Sequence, residues 1–388
     1  LISSFSEYDV KSNIALKMIF NNSLKHITPS ASMSKGLSEV PVFANLAVGS
    51  PDILPPDEIL SLAKCFVQSP SYGYIPTKGS VKALNNLHQI VFHENPNINP
   101  QTEISLCSGA KYGIYLTLKT ITNPQDHVMF LQPYWLSYPD ICVSLNLNWT
   151  GFEYDFNSNS YDFEKLKQEL IKKNTRVLLL NNPNNPIGQI FSNNQLHELI
   201  LFCEKQEIWL VLDEVYKDMV FDLQEPLHEW IKSDIVIRVG SLSKSMSLPG
   251  MRLAYVQGNT AFIQNFNLFN QHISTCVNSF ALYLLENLSK ETYDGFTRYC
   301  SKVYKERFEI AKSILTNKGF QILNSEASFY MMVKVIPIYD NVHDCISDLE
   351  SKGIIVTQGI NYGNQFEDYI RVCLTLSKEK LIQTLNLF

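Results

Sequence analysis

Between residues 100 and 256 the chain alternates short apolar runs with amphipathic stretches, and this alternation constrains the fold more than any other feature. The runs lie at 104–107, 128–131, 177–180, 208–212, 235–239 and 253–256, and nearly every position in them is apolar. A strand with one wet face would alternate apolar and polar residues; an unbroken apolar run needs cover on both faces. The intervening stretches at 111–121, 163–173 and 194–205 have helical periodicity. The last is preceded by Ser192 and carries Gln195 three residues later, a capping box that satisfies free amides at a helix start. The pattern predicts an α/β body with a mostly parallel sheet.

The pattern changes after residue 260. Long helical stretches at 261–288 and 293–317 precede short strands at 330–335, 354–356 and 369–374, which reads as a smaller α+β domain. Residues 1–45 show no strand pattern and are expected to form an N-terminal arm. The expected division is a large domain over 46–287 and a second unit made of 1–45 plus 288–388.

Composition narrows the function. The 388 residues carry 32 basic and 38 acidic side chains, a net charge of −6, without the basic footprint of a nucleic-acid binder. No apolar run approaches the roughly 18 residues of a membrane span. The first ten residues lack the basic and apolar regions of a signal peptide, so a cytoplasmic protein is expected. Eight scattered cysteines with no CxxC pair argue against a zinc site or a disulfide framework. Reduced thiols and no metal are expected.

In an open α/β sheet, ligands bind beyond the carboxyl ends of the strands, so the residues following each strand are the candidates. After 107 come Ser108, Gly109, Ala110 and Lys111, small residues opening a helix whose bare amides suit an anion. After 131 come Pro133, Tyr134 and Trp135, aromatics that either stack on a flat ligand or pack in the core. Next to 180 lies Asn181-Asn182-Pro183-Asn184-Asn185-Pro186-Ile187-Gly188, a turn whose four asparagines offer amide donors. Asp213 ends a strongly apolar strand, where a carboxylate is costly without a cation or hydrogen bonds, and Tyr216 follows it. After 239, Lys244 lies among hydroxyls, with Arg252 eight residues on. A lysine drawn into a site with a lowered pKa becomes a carbonyl-capturing amine. Together these residues offer an amine for a Schiff base, an anion cradle, a carboxylate for a ring nitrogen, donors for a phenolate oxygen and an aromatic lid. That set matches pyridoxal 5′-phosphate (PLP).

With those residues in view, the sequence resembles the fold-type I PLP enzymes, in particular the class I/II aminotransferases, from about Ile27 to Arg371. The most specific pieces are Asn184-Asn185-Pro186-Ile187-Gly188, Asp213-Glu214-Val215-Tyr216, Ser241-Leu242-Ser243-Lys244 and Pro249-Gly250-Met251-Arg252. Val48-Gly49-Ser50-Pro51-Asp52, the run from Tyr74 to Gly79, Pro133-Tyr134-Trp135 and Tyr369-Ile370-Arg371 support them. The resemblance implies a mostly parallel, seven-stranded type of sheet covered by helices, with a smaller α+β domain.

It also implies roles. Lys244 would carry PLP as a Schiff base and shuttle the proton. Asp213 would pair with the ring nitrogen, and Asn185 and Tyr216 would hydrogen-bond the ring oxygen. Gly109, Ala110, Ser241 and Arg252 would hold the phosphate, with Lys111 beside them and Trp135 stacked on the ring. Tyr74 would reach the phosphate from a neighbouring subunit, which implies a homodimer. Arg371 would clamp the substrate α-carboxylate, with the Gly49 amide and Asn185 nearby. The implied activity is ping-pong transfer of an amino group between an L-amino acid and a 2-oxo acid.

For the substrate, the segment Pro29-Ser30-Ala31-Ser32 and Lys111 resemble the aspartate aminotransferase subgroup in which a lysine and a hydroxyl meet a distal carboxylate. An exposed helix lysine is the other reading of Lys111. Ser50 and Ile53 depart from the family's usual Glu and Phe in GEPDF. The stretch 243–250 also resembles 1-aminocyclopropane-1-carboxylate synthases and specialised-metabolite enzymes, so a PLP lyase or cyclase is the alternative activity.

Overall fold

The computed structural model describes residues 21–27, 29–31, 42–68, 73–222 and 233–388. Its first strand, β1 (Ala44–Asn45), is two residues long and pairs in parallel with a strand near the C-terminus. The main sheet comprises β2 (Ile104–Cys107), β3 (His127–Leu131), β4 (Asn148–Phe152), β5 (Thr175–Asn181), β6 (Trp209–Asp213), β7 (Val236–Ser241) and β8 (Ala254–Gln257). Their spatial order is β2-β8-β7-β6-β5-β3-β4. The β3–β4, β3–β5, β5–β6 and β6–β7 pairs are parallel, whereas β8 is antiparallel to both neighbours. Six strands therefore run one way and β8 alone runs against them.

The sheet separates two cores, as the unbroken apolar runs require. Met129, Leu131, Leu178, Leu180, Leu210 and Leu212 face one side, toward the helices Phe163–Lys172 and Asn193–Lys205. Val128, Phe130, Val177, Leu179, Val211 and Ile237 face the other, toward Ala110–Ile121 and Thr260–Ile273. Each such side chain, buried completely, contributes about 1.5–3 kcal/mol. The capping box at Ser192 and Gln195 is present.

Three expectations need correction. The edge strand β4 was not expected. Its Asn-Trp-Thr-Gly-Phe sequence is mostly half-buried, because one side of an edge strand has no neighbour, so it lacks an apolar run. The stretch 261–288 is two helices, Thr260–Ile273 and Ser279–Asn287. The break falls where Thr275 takes φ +67° and Asn278 caps the second helix by accepting from the Ala281 amide. The arm is not strandless, since β1 forms there; residues 1–20, 28 and 32–41 lie outside the described residues.

The C-terminal part packs the long helix Lys290–Asn317 over a four-stranded antiparallel sheet. That sheet contains β9 (Gln321–Ile322), β10 (Tyr330–Lys334), β12 (Thr357–Gln358) and β13 (Tyr369–Cys373), whereas β11 (Ile354–Ile355) pairs with β1. Leu46 joins the core of this part, together with Tyr304, Phe308, Phe329 and Ile370.

Candidate active site

The carboxyl ends of β2, β3, β5, β6 and β7 open on one edge of the main sheet, and the reversed β8 brings its amino end there. One strand sense therefore delivers Gly109, Trp135, Asn185, Asp213 and Lys244, and the opposite sense delivers Arg252. Against this edge sits β13 with Arg371. A cavity of about 540 Å³ is lined by Gly49, Ala110, Lys111, Trp135, Asn185, Asp213, Tyr216, Ser241, Lys244, Arg252 and Arg371. All are residues that the sequence singles out.

Lys244 projects from the single turn Leu242–Ser245 that follows β7. Its ammonium donates to the Gly49 carbonyl and lies 5.6 Å from the centre of the Phe329 ring. Burial lowers its pKa to about 8; the Arg371 and Arg252 charges act in the same direction, and the Cys373 thiol opposes them. Gly49 thus turns its carbonyl to Lys244, a role beyond the amide that the sequence places beside a substrate carboxylate. A side chain at Gly49 would strike the Tyr330 hydroxyl, which a Cβ would approach to 1.9 Å.

Asp213 is 4% exposed. Its Oδ2 accepts from the Tyr138 hydroxyl at 2.7 Å and its Oδ1 from the Val215 amide at 3.2 Å. Burial raises its pKa to about 6, and these two hydrogen bonds recover only part of the cost. A cationic nitrogen in the cavity would recover the rest.

Asn185 and Tyr216 meet at 3.5 Å, and the Tyr216 hydroxyl is 2.9 Å from that of Tyr330. The Asn loop divides its labour. Asn181 accepts from the Asn185 amide at 2.6 Å and donates to the Asp213 carbonyl at 3.0 Å. Asn184 donates to the Pro133 carbonyl at 3.0 Å, and Asn182 accepts from the Phe191 amide at 2.9 Å. Of the four, Asn181 and Asn185 reach the cavity, and the others hold the loop.

The anion cradle lies at the start of the helix Ala110–Ile121, whose N-cap Gly109 offers no capping side chain. Gly109 has φ +94°, and a Cβ there would fall 2.0 Å from Arg252 Nη2. Only bare backbone fits beneath that guanidinium. Arg252 itself holds a left-handed φ of +53°, a strained conformation that aims it at the cradle. Ser241 is more committed than expected: its Oγ accepts from the Ser243 amide at 3.0 Å and lies 2.8 Å from the Leu253 carbonyl. A phosphate fits this cradle of amides, hydroxyls and a guanidinium.

Arg371 is 2% exposed. Its guanidinium donates to two neutral oxygens, Ala47 O at 2.6 Å and Asn185 Oδ1 at 3.4 Å, and its buried Nε has no partner. The Tyr330 and Tyr362 rings flank it at 4.4 and 5.0 Å. A buried cation held only by neutral groups is a receptor for a carboxylate.

The remaining candidates fall as follows. The Lys111 ammonium lies 5.1 Å from the centre of the Trp135 ring, so both line the same wall. Lys111 is an exposed helix residue, as its other reading holds, yet its ammonium lines the cavity; partial desolvation lowers its pKa, and Arg252 adds to the effect. Ser30 also lines the cavity, whereas Ser32 lies outside the described residues. Tyr74 is 92% exposed and does not line the cavity of its own chain. Sequence reasoning missed Tyr138, which backs Asp213, and Tyr330, which lines the cavity. Tyr138 sits three residues beyond Trp135, in the helix Ser137–Ser144, and its only signal is that closeness to Pro133-Tyr134-Trp135.

The chain matches the family model described as aminotransferase class I and II over residues 41–386. It is 27% identical over 345 residues to the LL-diaminopimelate aminotransferase of Natranaerobius thermophilus, covering 87% of this chain and 88% of the relative. To the aspartate aminotransferase of Thermotoga maritima it is 24% identical over 349 residues, covering 88% and 89%. Its fold superposes on aspartate aminotransferase from Thermus thermophilus with maleate at a TM-score of 0.88, with 22% identity over 95% of this chain and 98% of that one. Taken with a half-buried lysine, a buried carboxylate and a guanidinium held only by neutral groups in one cavity, these matches establish that the chain belongs to the aminotransferase class I and II family and is a PLP-dependent aminotransferase.

Proposed function

We propose that the protein moves the amino group of an L-amino acid with an anionic side chain to a 2-oxo acid, by a ping-pong route. The observation that carries the substrate class is the Lys111 ammonium on the Trp135 wall of a cavity that already holds Arg371. With Arg371 taking the α-carboxylate, a second cation on that wall suits a distal carboxylate. The aspartate and LL-diaminopimelate aminotransferases among the relatives are consistent with polar, charged substrates.

PLP, when bound, supplies an electron sink for charge that develops on the substrate α-carbon. The chain's residues do the rest. Asp213, ionised opposite a ring nitrogen, keeps that nitrogen protonated. Asn185 and Tyr216 donate to the ring oxygen, and Arg252 with the Gly109 and Ala110 backbone holds the phosphate. Arg371 fixes the substrate carboxylate and so orients the α-hydrogen. Lys244 would take the α-proton on Nζ; its lowered pKa leaves the neutral base accessible near neutral pH.

We read the chain as two domains, 46–287 and 1–45 with 288–388, with this site at their seam. We further infer a homodimer in which Tyr74 serves the neighbouring cradle. Tyr74 is exposed to solvent, and the same part of the sequence holds the exposed apolar residues Leu54, Leu60, Val67 and Val81. Free thiols at all eight cysteines suit a cytoplasmic enzyme. Among the described residues no helix is long and apolar enough to cross a membrane.

The deciding experiment is a half-reaction screen. Enzyme loaded with PLP is mixed with single amino acids, and its visible spectrum is followed to the pyridoxamine form. L-aspartate or L-glutamate should convert it in one turnover and then stall. A strong preference for aromatic or aliphatic amino acids would refute the anionic substrate class. Continued product release without a 2-oxo acid would refute transamination in favour of elimination.

A further inference from the structure

We propose that Arg307 is a positioning residue for the substrate carboxylate, pinning the Gly49 loop to the strand end that carries Arg371. The inference rests on the reading of Arg371 as the carboxylate receptor. Arg307 lies in the long helix Lys290–Asn317 and does not line the cavity. Its Nη1 and Nη2 donate to Asp52 Oδ1 at 2.7 Å and Oδ2 at 2.9 Å, a two-pronged pair. Nη1 also donates to the Leu374 carbonyl at 3.0 Å. The Tyr304 hydroxyl donates to Asp52 Oδ1 at 3.3 Å, and its ring lies 5.3 Å from the Arg307 guanidinium.

Asp52 and Leu374 belong to the two segments that build the carboxylate site. The Asp52 segment contributes the Ala47 carbonyl that receives Arg371 and the Gly49 carbonyl that receives Lys244. Leu374 follows directly on β13, the strand of Arg371. The Cys373 amide donates to the Leu46 carbonyl at 2.8 Å, tying the near end of the loop to β13. At the far end, Arg307 holds both segments with one planar group. Asp52 is thus part of why the loop needs the sequence Gly-Ser-Pro-Asp. A lysine at 307 would keep the charge but not the fork that reaches two carboxylate oxygens and a carbonyl together. The cofactor cradle, at Gly109, Asp213 and Arg252, is built from other segments. Loosening this pin should therefore disturb the amino acid far more than PLP.

The test compares Arg307→Lys and Asp52→Asn with the wild-type holoenzyme, using L-aspartate and 2-oxoglutarate as probes. We expect KM for L-aspartate to rise roughly tenfold or more, with kcat within about threefold and the PLP dissociation constant within about twofold. Amide hydrogen exchange over residues 46–52 should accelerate in both variants while that over 108–112 does not change. If a single change prevents folding, the paired Asp52→Asn/Arg307→Gln variant removes both charges together and leaves no buried ion unpaired. An unchanged KM, a fall confined to kcat, PLP weakened in step, or unchanged exchange over 46–52 would overturn the proposal. Failure of the wild type to bind PLP would instead sink the functional reading, and the exchange measurement would then judge Arg307 alone.

Discussion

Lys244 should behave as an amine that is half neutral near pH 8 instead of near its ordinary 10.5. At pH 7.5 that leaves about one amine in four unprotonated, against about one in a thousand for an exposed lysine, a roughly two-hundredfold difference in nucleophile. The energy behind it is about 3 kcal/mol, chiefly the cost of enclosing an ammonium between β7 and the Gly49 loop. The perturbation is pH itself, applied to the protein freed of PLP. Limited acylation with acetic anhydride, followed by peptide mapping, reads each lysine's reactivity against the others. The Lys244 peptide should reach half its limiting rate near pH 8, well below the range in which an ordinary lysine amine does so. A second arm uses stability. Between about pH 8 and 10.5 the native protein holds one proton fewer at this site than the unfolded chain, so its stability rises with pH across that window. The rise, up to about 3 kcal/mol, should vanish in Lys244→Met. A Lys244 peptide that titrates with the surface lysines, or identical pH dependence in the two proteins, would refute the reasoning.

Three further outcomes follow from the geometry. Arg371→Ala should weaken amino-acid binding by about 2–5 kcal/mol while PLP stays bound, as read from half-reaction titrations; unchanged affinity removes Arg371 from the site. Gly109→Ala puts a methyl where Arg252 Nη2 lies, at a backbone angle that disfavours any side chain, and should raise the PLP dissociation constant roughly tenfold or more in equilibrium dialysis. Tyr138→Phe removes a hydrogen bond to a buried carboxylate, a loss of about 1.5–3 kcal/mol. Its PLP affinity should therefore fall most below neutral pH, where Asp213 is protonated first, and a flat pH profile would exclude this role.

The parallel body was legible because its strands are buried on both faces, and such strands leave unbroken apolar runs. The site was legible because ligand chemistry gathers where those runs stop: Asp213 is conspicuous only as a charge ending the run 208–212. What stayed hidden did so for physical reasons. The edge strand β4 has one unpaired side and no need for a continuous apolar run. The helix break near Thr275 depends on one residue's left-handed backbone, which no periodicity reports. Tyr138 acts from behind the cavity wall and Tyr330 lines it from a buried strand, positions where an aromatic residue satisfies the core equally well. Arg371, by contrast, gave only a short motif, and its neutral surroundings emerge only when Ala47, Asn185 and Tyr330 are brought around it.

The reversed strand β8 has a consequence for how this enzyme can change. Lys244 and Arg252 sit on the connection between β7 and β8, which are neighbouring antiparallel strands with Ser241 opposite Ala254. No crossover helix intervenes to absorb a change in length. Adding or deleting a residue between positions 244 and 252 would change the offset between a lysine and an arginine that meet at one cavity. The spacing of Lys244 and Arg252 is thereby tied to the strand reversal itself, and loops away from this edge are better placed to accept insertions.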